Sequence, residues 1–210
     1  MSIATYAELQ TAVSEWLHRS GLSARAPDFI QQGQSWLNRK LRTVDMEETY
    51  SFNMSTDDRL DPLPSGYLEL QSLNYTASPV EEIVFVEPSA LIPLITESGK
   101  PEYFTIKDGL EWNRTPDAAY ACEMHYFKAL DLANDSTNWL LTNHPDIYLY
   151  ASLASAAIYI KDDNRVPGIK SLLQEAVDDL NTQDARKRGS QMVLMRTELV
   201  SGNDYNIITG

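Results

Sequence analysis

The chain has 210 residues, 43% apolar and 22% charged, with ten prolines, proportions that set aside disordered, collagen-like and coiled-coil architectures. Seventeen basic residues stand against 30 acidic ones, and the net charge of −13 disfavours a protein that grips phosphate backbones by releasing counterions. A chain of this size buries roughly 70% of the surface its unfolded form exposes, so it needs neither metal nor disulfide to hold a core. Cys122 is the one cysteine, which fits a reducing compartment, and no apolar run approaches the roughly 18 residues that span a bilayer. The N-terminus lacks the basic-then-apolar pattern of a secretory signal, so assembly in the cytoplasm is expected.

Thr5 and Glu8 have capping-box spacing, and Leu9, Val13, Trp16 and Leu17 follow at helical intervals, predicting a first helix from about Tyr6 to Ser20 that Gly21 ends. Pro27 suits the first turn of a second helix, in which Phe29, Ile30, Gly33, Trp36, Leu37 and Leu41 form an apolar stripe. Arg39, Lys40 and Arg42 complement the dipole of its last turns. The two helices are read as a hairpin, with their aromatic side chains in the core.

From Glu48 the period changes to two, with Tyr50, Phe52 and Met54 alternating with polar neighbours. Asp57, Asp58, Asp61, Pro62 and Pro64 then predict a solvated turn before a strand from Tyr67 to Tyr75. Leu68 and Leu70 share one phase of that strand while Leu73 and Tyr75 share the other, which implies a bulge or burial on both faces. Val80 to Val86 reads as a further strand, and Pro88 to Thr96 as a short helical connection interrupted by Pro93. Asp108-Gly109 predicts a tight hairpin between Glu102–Lys107 and Leu110–Asn113. A last strand alternates Tyr120, Cys122, Met124 and Tyr126, which makes Cys122 a small core residue.

Helical periodicity returns after His144-Pro145-Asp146, where Ile147, Leu149 or Tyr150, Leu153, Ala154, Ala157 and Ile158 can line a wide buried face to about Lys161. Asp162, Asp163, Asn164 and Arg165 form an interhelical loop. Pro167 opens a fourth helix with Ile169, Leu172, Leu173, Ala176, Val177 and Leu180 on one face, persisting to Asp184 or beyond. The expected fold class is therefore α+β: a helical bundle of two N-terminal and two C-terminal helices, an inserted antiparallel β region and a projecting C-terminal arm. The expected segments are 1–45, 46–135, 136–188 and 189–210. Their charges differ, since residues 46–135 carry 17 acidic and 5 basic side chains, whereas 1–45 carry 4 and 5. Such a middle is either a solvated surface or a wall past which a polyanion moves without sticking.

The compact signatures of catalysis are absent: no phosphate loop, dinucleotide-binding glycine fingerprint, His-Glu-x-x-His or Gly-x-Ser-x-Gly occurs. His18, His125 and His144 are isolated and suit surface or capping roles. Asp57, Asp58 and Asp61 miss the spacing of a calcium loop. No catalytic residue, metal or cofactor is expected. The competing enzymatic reading is an acidic hydrolase using two carboxylates among Glu81, Glu82, Glu111 and Asp117, which requires a separation of about 5 to 9.5 Å.

The end of the chain carries a stronger signal. A helix from Pro167 to Met195 would be about 43 Å long, more than a compact body needs. Arg186, Lys187 and Arg188 form the one dense basic run, followed by Met192, Val193, Leu194, Met195, Leu199, Val200, Tyr205, Ile207 and Ile208. Apolar side chains beyond the last core helix either fold back or await another chain. The expected interface with another chain is Arg186, Lys187, Arg188, Met192, Leu194, Met195, Leu199, Tyr205, Ile207 and Ile208.

Four stretches in order, TYAELQTAVSEWLHRSGLSARAPDFIQQGQSWLNRKLR from Thr5, LPSGYLELQSL from Leu63, GKPEYFTI from Gly99 and TNWLLTNHPDIYLYASLASAA from Thr137, resemble the head-to-tail adaptor proteins of tailed bacteriophages over about residues 4–190. The resemblance implies a virion protein assembled in the host cytoplasm, forming a homo-oligomeric ring, by expectation a 12-mer, beneath the portal. It implies the portal and a tail nozzle or tube protein as partners, and passage of DNA without tight binding or membrane contact. A stopper or nozzle at a neighbouring ring of the same joint is the alternative position.

Overall fold

The computed structural model describes residues 3–18, 20–162 and 164–200, of which Ser20 and residues 190–200 are described by backbone alone. The chain divides into two compact units, one of Met1–Asp45 with Asp131–Gly210 and one of Met46–Leu130. Helices make up the first and strands most of the second, an α+β fold.

In the helical unit, α1 (Tyr6–Leu17) opens on a complete capping box: Thr5 Oγ1 accepts from Glu8 N, and the Glu8 carboxylate accepts from the backbone N–H groups of Ala4 and Thr5. These N–H groups hold the Glu8 carboxyl below its usual range. The helix stops at Leu17, three residues before the expected end, because His18 takes a left-handed conformation at φ 49° and caps it. A 3₁₀ turn, Ser20–Arg25, leads into α2 (Ala26–Lys40), whose Phe29, Ile30, Gly33 and Leu37 form the buried face. Trp16, expected in the core, is 48% exposed. It lies on α1 beyond the arc that the neighbouring helices cover.

After the second unit the chain forms two short helices that periodicity did not reveal, α4 (Leu132–Asp135) and α5 (Trp139–Asn143), followed by α6 (Pro145–Tyr159) and α7 (Val166–Val200). With four and five residues, α4 and α5 are too short to show a repeat, and caps define them. Asp131 accepts from the N–H groups of Ala133 and Asn134, and Asn138 Oδ1 from that of Leu141. α6 is buried over most of its circumference, including Tyr148, whose hydroxyl accepts from Asn138 Nδ2. Ile158 at its end is 57% exposed, against expectation. On α7, Leu173, Val177 and Leu180 are buried while Leu172 stands out in solvent. The fourth helix continues through Gly189 to Val200, so the first half of the expected arm is an extension of α7.

Helices α2 and α6 approach each other closely at Gly33. A Cβ on Gly33 would lie 2.9 Å from the Ala151 carbonyl carbon and 3.0 Å from Ser152 N. The opposing stretch of α6 is built of small buried residues, Ala151, Ser152, Ala154, Ala156 and Ala157. The Ser152 hydroxyl turns back to donate to the Tyr148 carbonyl at 2.7 Å, so its polarity is satisfied within α6.

The second unit holds two four-stranded sheets. One is ordered β1 (Glu47–Asn53), β8 (Ala121–Lys128), β3 (Tyr67–Tyr75), β4 (Glu81–Glu82); the other β2 (Leu60–Asp61), β7 (Leu110–Trp112), β6 (Tyr103–Ile106), β5 (Val84–Phe85). Pairing is antiparallel except between β5 and β6, which run parallel. The register of β3 against β8 shifts between Tyr67 and Glu69 and again between Leu70 and Ser72, which accounts for its mixed apolar phase. The expected strand at Val80–Val86 splits, giving β4 to one sheet and β5 to the other, with Ile83 buried between them. A helical turn α3 (Pro88–Leu91) and a 3₁₀ turn Ile92–Leu94 follow. Met54, Leu73, Tyr75, Phe104, Trp112, Cys122 and Met124 from both sheets fill one core.

Asp61 organises this core. It is 5% exposed, not part of a solvated turn; its carboxylate accepts from Trp112 Nε1 at 2.8 Å and from Ser55 N at 3.1 and 3.3 Å. Gly109 belongs to the same junction. A Cβ there would lie 2.4 Å from the Asp61 carbonyl oxygen, so the hairpin glycine is set by the approach of β2, and its φ is not positive.

Gly33→Ala should lower stability by about 1–3 kcal/mol because the methyl group meets backbone, outweighing a helix-propensity gain of about 1 kcal/mol; urea unfolding reads this directly. Asp61→Ala leaves the buried Trp112 indole N–H and the Ser55 N–H unpaired, and the expected loss is about 1–3 kcal/mol for each such group. Indole fluorescence followed through the transition should report both the loss and the altered Trp112 environment.

Candidate assembly interface

The expected interface residues lie near the C-terminal end of α7, where the side chains of 184–188 meet the segment after α2. Asp184, 8% exposed, accepts from Val44 N at 2.7 Å through one oxygen and from Arg188 Nε at 2.8 Å through the other. Arg188 Nη2 also donates to the Arg42 carbonyl at 3.4 Å, and Lys187 Nζ donates to Asp45 at 2.6 Å. Two cations of the basic run therefore act inside the chain, tying α7 to residues 42–45. Arg186 is exposed and makes no ion pair among the described residues. Met192, Leu194, Met195 and Leu199 fall on the helical backbone of α7, whereas Tyr205, Ile207 and Ile208 lie outside the described residues.

Sequence reasoning missed Asp45 and Asp184. The i,i+4 spacing of Asp184 and Arg188 is visible along the chain, but the bonds to Val44 and Asp45 close over 140 and 142 residues. It also missed an open groove of about 790 Å³ between α2 and α7, floored by Ala151, Ala154 and Ser155 of α6. In the other unit, Val84, Phe85, Ile92 and Ile95 are 40 to 67% exposed.

Of the carboxylates considered for acid–base chemistry, Glu81, Glu111 and Asp117 serve structural contacts, and Glu82 is exposed on β4. Glu81 pairs with Lys100, Glu111 lies 3.1 Å from Lys107 and 3.7 Å from Arg59, and Asp117 accepts from the Tyr120 hydroxyl at 2.6 Å. His18 caps α1, His144 stands between α5 and α6, and His125 contacts Thr49 and Glu123 at 3.0 and 3.1 Å. Burial pushes the Cys122 thiol up to about 12, consistent with an inert core residue. Among the described residues no group of three or more His, Cys, Asp or Glu is arranged to hold a metal, and no helix is long and apolar enough to cross a membrane.

Polar clusters clamp the helical unit's own segments, and the β unit turns apolar and acidic side chains to solvent. The family described as SU10 adaptor protein matches residues 4–196, and the chain belongs to it: a phage head–tail adaptor. It is a structural component of the virion that interacts with other virion proteins. No curated protein matches the chain.

Arg188→Glu should place a third carboxylate beside Asp184 and Asp45 and lower the thermal unfolding midpoint by several degrees, with ~2–4 °C expected per kcal/mol in a domain of this size. Arg186→Glu should leave the midpoint unchanged. Differential scanning calorimetry of the two variants separates the clamp from the free surface cation.

Proposed function

We propose that this adaptor forms a ring beneath the portal, by expectation of twelve subunits, joins it to the tail nozzle or tube, and lines part of the channel through which DNA passes. The observation that carries this reading is the family match along 193 of 210 residues. Charge supports it: residues 46–135 hold 17 acidic and 5 basic side chains, so a lumen built from them would let DNA pass without counterion-release binding.

The portal or neighbour contact is assigned to Arg186 and to the segment bearing Met192, Leu194, Met195, Leu199, Tyr205, Ile207 and Ile208. Lys187 and Arg188 support it from within by fixing α7 to residues 42–45. From Arg188 the helix runs twelve residues further to Val200, about 18 Å at 1.5 Å per residue. An apolar segment that gains its contacts only on a partner carries the ordering cost until it binds. Portal binding and ring closure are therefore coupled in this reading.

Deleting Met192–Gly210 should abolish co-sedimentation with portal particles while leaving the thermal transition of the remaining body nearly unchanged. A truncated chain that still sediments with portal would refute the assignment of this segment.

A further inference from the structure

The groove between α2 and α7 is lined by Trp36 and Arg39 on one side, Lys170 and Leu173 on the other, with Ala154 and Ile158 beneath. Its width follows from the α2–α6 crossing. Gly33 brings α2 down onto α6, and the small residues of α6 leave the floor low while the longer side chains of α2 and α7 form the rims. Arg39 and Lys170 are exposed and have no carboxylate partner among the described residues; the one acidic rim residue, Asp28, lies 3.5 Å from Arg25. The result is a trough of mixed lining, with Trp36, Ala154, Ile158 and Leu173 as its apolar side chains among Gln31, Gln32, Ser35, Ser155 and Gln174, and with two positive charges that have no ion-pair partner among the described residues.

The other unit carries the opposite surface. Val84 and Phe85 of edge strand β5 are 48 and 50% exposed, and Ile92 and Ile95 are 67 and 40% exposed. Ile92 opens the 3₁₀ turn and Ile95 caps its end in an extended conformation, its N–H donating to the Ile92 carbonyl at 3.3 Å. Residues 60–99 contain six carboxylates and no lysine or arginine. Among the described residues Glu82, Glu87 and Glu97, which border the apolar stretch, are exposed and make no ion pair, although Arg114 Nε donates to Thr96 Oγ1 at 2.9 Å next to Glu97 and Lys100 pairs with Glu81 next to Glu82.

We propose that the trough receives the Val84–Glu97 stretch of a second copy of this chain, apolar side chains entering between α2 and α7 and carboxylates meeting Arg39 and Lys170. The occupant is argued from charge: a basic-rimmed trough and an acid-rimmed apolar ridge occur on every copy. Two different surfaces that match each other give a heterologous, head-to-tail contact, the kind that closes into a ring when the rotation between subunits permits. This inference rests on the ring reading above and assigns the subunit contact within it.

The test uses charge reversal in the full chain, followed by sedimentation at low salt and by imaging of rings on portal particles. Arg39→Glu with Lys170→Glu, and separately Glu87→Lys with Glu97→Lys, should each weaken subunit association about tenfold or more, because like charges then face each other. Mixing the two variants in equal amounts should restore association, since the reversed trough of one matches the reversed ridge of the other. All four positions are exposed, so unfolding midpoints should stay at the wild-type value. If either pair shifts the midpoint, Arg39→Gln with Lys170→Gln and Glu87→Gln with Glu97→Gln replace them, both weakening association. Variants that form rings as readily as wild type, or a mixture that fails to recover, would overturn this contact while leaving the ring reading intact. Wild-type chain that binds no portal would overturn the portal reading instead, and self-association of wild type and variants in the absence of portal then decides the trough contact.

Discussion

Gly33 is where α2 meets α6 backbone to backbone, and the helical unit is built around that crossing. With 2.9 Å to the Ala151 carbonyl carbon from where its Cβ would be, the position has no room for a side chain. The close approach is matched by alanines and serines along α6, so the two helices bury a continuous surface of small groups while Phe29, Ile30 and Leu37 pack beside it. A low floor between taller helices also makes the open trough. One steric constraint thus serves cohesion inside the unit and shapes its outer face.

The second unit depends on a different kind of interaction. Its two sheets share an aromatic and aliphatic core whose polar element is the Asp61 carboxylate, holding the Trp112 indole from one side and the Ser55 backbone from the other. A buried carboxylate is tolerated where its oxygens are supplied with donors, and such an arrangement fixes orientation as well as contributing energy. Gly109, which admits the Asp61 carbonyl, completes the junction from the neighbouring hairpin. The excess of negative charge in this unit is therefore mixed in role: Asp61 is an internal brace, whereas Glu82, Glu87 and Glu97 face solvent.

Local chemistry was legible in the sequence wherever neighbours along the chain decide the structure. Thr5 and Glu8 announced the start of α1, Tyr67 and Tyr75 bounded β3, and the phase change within β3 marked real shifts in register. What stayed hidden depends on distant partners. Nothing local distinguishes Asp61 from Asp57 and Asp58, because its partner Trp112 is 51 residues away. Trp16, Ile158 and Leu172 fit helical stripes, but periodicity gives the direction of a face and not the width that neighbours cover. The same limit applies to the basic run: Lys187 and Arg188 read as a surface cluster until Asp45, Asp184 and the Arg42 carbonyl are seen beside them.

Because one unit lies within the chain of the other, synthesis and folding proceed in different orders. About a hundred residues separate the end of α2 from the start of α6. At translation rates of about 5–20 residues per second, Phe29, Ile30 and Leu37 leave the ribosome several seconds before the helix that shelters them. During that interval the β unit has its whole segment available and can collapse on its own core, while the first two helices still lack the face of α6 that covers them. The nested chain order thus leaves the nascent helical pair with an uncovered apolar flank until the last third of the polypeptide has emerged.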